Sequence, residues 1–126
     1  MTLEKALFTV DELKPNQIER AWKIYWVSLL DQRVYKEIIS THALDAATPP
    51  PPAPYTQETP GDTELLVKAP YEEVYRFFLE MQIDLANLEY DKYNNSLALF
   101  ANAWGQYARD YHRGHKPLPG PAAFHF

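Results

Sequence analysis

Between Tyr90 and Tyr111, bulky apolar residues recur at alternating three- and four-residue spacing: Tyr90, Tyr93, Leu97, Phe100, Trp104, Tyr107 and Tyr111. At about 1.5 Å per residue this is one unbroken stripe along a helix about 33 Å long. All but Leu97 are aromatic. Helix cores ordinarily favour leucine, isoleucine and alanine, whereas tyrosine and tryptophan carry a polar tip that needs a partner when buried. The stripe therefore reads as an interface, and Trp22, Trp26, Trp104, Tyr107 and Tyr111 are the candidates for contact between subunits. The competing reading is that the tryptophans fill the chain's own core.

The same spacing rule finds the other helices. Leu3, Leu7, Val10 and Leu13 predict a first helix over Leu3 to Leu13, stopped by Lys14-Pro15. Thr9 and Glu12 have capping-box form and would allow a break inside it. Asn16 and Glu19 form a second start signal, so a long helix is expected from there to about Ser40. Its apolar positions run from Ile18 through Trp22, Trp26 and Leu30 to Ile38, wide enough for two neighbours. A third helix should begin at Pro70, with Tyr71, Val74, Phe78, Met81, Leu85 and Leu88 on one face. The step from Leu88 to Tyr90 breaks that phase. Either the helix bends between Glu89 and Asn95, or one long helix serves two partners. Gly114 and Pro117 end the last helix.

Between these helices, residues 41–63 are rich in proline, with Pro49 to Pro52 and Pro54 favouring polyproline II. They read as a linker or surface loop. Residues 64–68 can be a short strand or an extended plug. The expected architecture is all-α: three to four helices in a small bundle over residues 1–115, and an extended tail over 116–126.

The formal charge is −5, unevenly spread. Residues 111–126 hold Arg113 and Lys116 and no acid, so residues 1–110 carry ten of the twelve bases and all seventeen acids. An acidic body argues against wrapping by nucleic acid. There is no cysteine, hence no disulfide framework or thiolate metal site. The N-terminus lacks a signal-peptide layout, and no apolar run approaches the roughly 20 residues of a membrane span. A protein made in the cytoplasm, away from membranes, is expected.

Catalytic signatures are missing: no Gly-rich phosphate loop and no nucleophile elbow. His112 and His115 have a spacing that zinc could use, but they sit at a helix end where positive groups serve as caps. Glu89 and Asp91, two apart, point to different sides of a helix. The chain is therefore not expected to be an enzyme or to hold a metal or cofactor. The tail, in contrast, combines Arg113, His115, Lys116 and Pro117 with Phe124 and Phe126. Two phenylalanines are costly to leave in water, so these residues are the candidate partner-binding set, docking on the body or on another subunit.

Several short motifs give the chain a family likeness. Leu65-Leu66, Pro70-Tyr71 with Tyr75, Gln82-Ile83-Asp84, Glu89 with Tyr93-Asn94-Asn95, and Arg113 with His115 and Pro117 resemble the head-to-tail connectors, or neck adaptors, of long-tailed bacteriophages. Leu13-Lys14-Pro15-Asn16 and Trp26 with Leu30-Asp31 and Arg33 are similar to the same family. The resemblance implies a structural virion protein at the neck, forming a ring, commonly twelvefold, beneath the portal protein. Such a ring extends the DNA channel, without sequence-specific DNA binding, and docks the next neck or tail protein. The alternative is a small cytoplasmic helical protein that regulates a protein partner as a monomer or dimer.

Overall fold

Thr2 opens the first helix, its Oγ1 accepting the Lys5 amide at 3.2 Å. The computed structural model describes residues 1–118. Among them the helices are α1 (Leu3–Leu13), α2 (Arg20–Glu37), a 3₁₀ turn (Ile39–Thr41), α3 (Glu73–Ala86) and α4 (Tyr90–Gly114). The chain is all-α. Thr9 lies inside α1, so the capping-box break does not form.

Two helix starts differ from expectation. The Asn16 side chain accepts from the Ile18 amide at 3.0 Å and ties back to Asp11 and the Lys14 carbonyl, which makes it a turn residue. The helix begins later, at Arg20. Pro70 likewise precedes α3, because the Tyr71 and Val74 amides close turns onto Lys68 and Tyr71.

The phase break after Leu88 is a complete reversal of direction. Leu88 takes φ 58°, and the Glu89 amide bonds the Asp84 carbonyl at 2.9 Å. Helix α3 stops there and α4 returns antiparallel to it, with Phe78 against Phe100 at 5.2 Å and Tyr71 against Tyr107 at 5.9 Å. Asn94 and Asn95 sit within α4 and cause no bend. Leu85, in the last turn of α3, and Leu88, in the reversal after it, are exposed rather than on the buried face expected of them.

The core joins Leu3, Leu7 and Val10 of α1, Val27, Leu30 and Val34 of α2, and Val74, Phe78 and Leu79 of α3. Residues 64–68 form a plug: Leu65 and Val67, two apart in extended chain, are both fully buried. Each contributes about 2 kcal/mol by leaving water. The plug pairs with its own N-terminus, since Leu65 donates to the Met1 carbonyl and Leu3 to that of Thr63.

Two buried carboxylates pin these pieces. Asp31 accepts from Tyr75 Oη at 2.5 Å, Tyr55 Oη at 2.6 Å and the Leu66 amide at 3.2 Å. It thereby joins α2 to α3, the plug and the end of the proline-rich stretch. Asp84 accepts from Lys14 Nζ at 2.6 Å and Ser96 Oγ at 2.7 Å, joining α1, α3 and α4.

Candidate functional site

The C-terminal half of α4 places Tyr107, Asp110 and Tyr111 on one face, three and four residues apart. With the plug and the chain around Asp45, this face encloses a cavity of about 610 Å³, floored by Ile39, Leu65 and Leu66. The Tyr71 and Tyr107 rings lie 5.9 Å apart, and those of Tyr107 and Tyr111 6.0 Å apart. His115 stacks on Tyr111 at 3.7 Å with the planes 6° from parallel, and its Nδ1 lies 2.9 Å from the Tyr111 carbonyl.

Three carboxylates, Asp45, Glu64 and Asp110, line the cavity together with Lys68. Glu64 pairs with Lys68 at 3.6 Å and with the Met1 ammonium at 3.4 Å, and Lys68 donates to the Leu65 carbonyl at 3.0 Å. Arg113 is 3.7 Å from Asp110, an exposed pair that water screens. Asp45 accepts from the Ala47 amide and the Thr48 hydroxyl. The tyrosines register this environment. Burial, then its hydrogen bond to Asp110, raises Tyr71 above the usual phenol range; burial, then the Asp45 charge, raises Tyr111. Tyr107 is driven well up by burial and by Tyr111. Beneath the floor, burial raises the Asp31 carboxyl although its three donors oppose the shift.

Next to the cavity, His42 is buried under α4. Its Nδ1 lies 2.6 Å from the Ile38 carbonyl, which assigns the proton to that nitrogen, and its Nε2 lies 3.2 Å from His112 Nδ1. His112 therefore turns to His42 while His115 turns to Tyr111. Among the described residues, no three histidine or carboxylate groups converge as metal ligands. Among the described residues, no helix is long and apolar enough to cross a membrane.

The interface candidates separate by exposure. Trp22 is 56% exposed beside Tyr25, at 50%. Trp26 and Tyr107, in contrast, belong to the chain's own core, at 9% and 6% exposed. Tyr107 is covered because α4 lies along α3 and the Tyr71, Phe78, Phe100 and Tyr107 rings fill that seam, while Trp26, on α2, is part of the buried cluster. Trp104 is half-buried beside Phe100, with the Arg33 guanidinium 5.0 Å from its ring centre. Tyr111 is a cavity wall.

Of the tail set, Arg113 is exposed, while Lys116 and Pro117 are held on the chain itself. The Ala43 amide bonds the Lys116 carbonyl at 2.7 Å, the Leu118 amide bonds Thr41 at 3.1 Å, and Pro117 pairs with His42. Phe124 and Phe126 lie outside the described residues. Sequence reading missed Asp45, Asp110 and Tyr71 as partners in one site. The Tyr107, Asp110, Tyr111 spacing on one helix face is the sequence signal that could have found it. No family model, curated protein or solved structure matches the chain.

Proposed function

We propose that the protein is a structural head-to-tail connector subunit of a long-tailed bacteriophage, assembling as a ring under the portal. The observation that carries this reading is a pair of unlike exposed apolar surfaces on one small body. One is Trp22 and Tyr25 on α2; the other flanks the α3–α4 reversal, with Leu88 at 69% and Tyr90 at 60% exposed. Unlike patches joined between copies make a head-to-tail contact, and such contacts close into rings when the rotation permits. The excess of acids over residues 1–110 suits a channel through which DNA must slide without sticking. In this reading residues 41–63 serve as a linker, and residues 116–126 form an extended tail that engages the portal or a neighbouring copy.

The test is electron microscopy of the protein mixed with the portal of the same phage. A ring of matching symmetry, commonly twelvefold, bound at one end of the portal is expected, and Trp22→Ala should abolish it while leaving the helical signal intact. A folded monomer or dimer that ignores an assembled portal would instead favour a regulator of a protein partner.

A further inference from the structure

We propose that the tyrosine-lined cavity is a docking socket for an arginine side chain presented by a partner protein. This holds whether or not the subunit forms a ring. The argument starts from size: at about 610 Å³ the cavity lies within the range that admits a long side chain and its flanking backbone. It continues with chemistry. Tyr71, Tyr107 and Tyr111 line the cavity with rings whose centres lie 5.9 and 6.0 Å apart and whose planes are inclined by 56° and 57°, and His115 covers one face of Tyr111; an aromatic face turned to the cavity attracts cations.

The carboxylates then select the charge. Asp45, Glu64 and Asp110 line the cavity, and Lys68, the lysine among the described lining residues, is engaged with Glu64 and a carbonyl. Glu64 already pairs with Lys68 and the Met1 ammonium, and Asp110 with Arg113, so Asp45 is the carboxylate that has no cationic partner among the described residues, and an anionic ligand would meet it as a like charge. An uncharged apolar ligand would fit the floor of Ile39, Leu65 and Leu66 but leave Asp45 without a cationic partner. Arginine satisfies both parts of the lining: its planar guanidinium stacks on a tyrosine while its donors fork onto a carboxylate, and its methylene stem covers the apolar floor. The protein's own Arg113 does not fill this role, because its exposed side chain faces Asp110 from outside at 3.7 Å.

The experiment titrates acetyl-Ala-Arg-Ala-amide, its citrulline counterpart and free arginine amide into the full chain carrying ¹³C-labelled tyrosine rings. The expected result is saturable shifts at Tyr71, Tyr107 and Tyr111, with the citrulline peptide about tenfold weaker. Asp45→Asn, a surface change that leaves the fold intact, should weaken the arginine peptide several-fold and leave the citrulline peptide unaffected. Equal binding of the two peptides overturns the proposal, as do shifts confined to tyrosines outside the cavity such as Tyr25 and Tyr90. Free arginine amide binding as tightly as the peptide would make this a small-cation site and overturn the protein partner.

Discussion

Removing one oxygen atom, in Tyr75→Phe, should unfold more of this protein's stability than any surface change. The Tyr75 hydroxyl donates to Asp31 at 2.5 Å and accepts from the Val67 amide at 2.8 Å, and all three residues are fully buried. Phenylalanine keeps the ring packing but orphans a buried carboxylate oxygen and a buried amide. Each orphan costs about 1–3 kcal/mol, more for the charged one, so the total is about 3–5 kcal/mol. That is a large share of the roughly 5–15 kcal/mol that holds a domain folded. Tyr55→Phe is the internal control. Its hydroxyl reaches the other Asp31 oxygen, which still keeps the Leu66 amide, and its ring is half-exposed so that water can replace it. It should cost about 1 kcal/mol. Urea denaturation followed by circular dichroism at neutral pH measures both, with unchanged slopes showing that the denatured state is the same. Tyr75→Phe within about 0.5 kcal/mol of the parent, or a larger loss in Tyr55→Phe, would refute the argument that Asp31 is the joint between helices and plug.

Leu88→Gly should leave the monomer as stable as the parent or up to about 1 kcal/mol more stable, because relief of the left-handed backbone outweighs glycine's entropy and an exposed side chain gives up little packing. Under the proposed connector function the same variant should also lose ring formation; a drop of more than about 1 kcal/mol in thermal or urea stability would contradict the strain argument. At alkaline pH the buried tyrosines control stability. Burial raises Tyr75 and Tyr107 in the folded state, so their contribution is complete below about pH 10 and is lost as pH climbs beyond it, at about 1.4 kcal/mol per pH unit for each phenol. Absorbance at the tyrosinate band should show exposed phenols ionising first and a later cooperative step coincident with loss of helix. All tyrosines titrating together near pH 10 with the helices intact would rule this out.

Periodicity located the helices because it depends only on which residues share a face. The first helix has the expected ends, and α4 stops at Gly114, although not by the left-handed glycine cap expected there: no described glycine has positive φ, and His115 caps the helix in extended conformation. The same information is silent on which face another element covers, so Tyr107 and Trp26 read as interface residues although α3 and the core enclose them. Asn16 shows a second limit: a capping residue and a turn residue share one chemistry, and only the local bonds to Ile18 and Asp11 decide between them. The buried carboxylates were illegible for a third reason. Asp31 and Asp84 occupy single polar positions in helical patterns, and their partners arrive from distant parts of the chain, Tyr75 for one and Lys14 for the other. The cavity shares that difficulty, since Asp45, Leu65 and Tyr111 meet only after the chain has folded back on itself.

The short pairing of residues 116–118 with 41–43 has a mechanical consequence. Tension applied beyond Leu118 reaches the Leu118–Thr41 and Ala43–Lys116 hydrogen bonds before it reaches the last turn of α4. From Thr41 and the buried His42 the load continues into the end of α2. A partner hauling on the C-terminus would therefore tug on the body as a whole, and α4 would not unravel from its tip like a frayed rope.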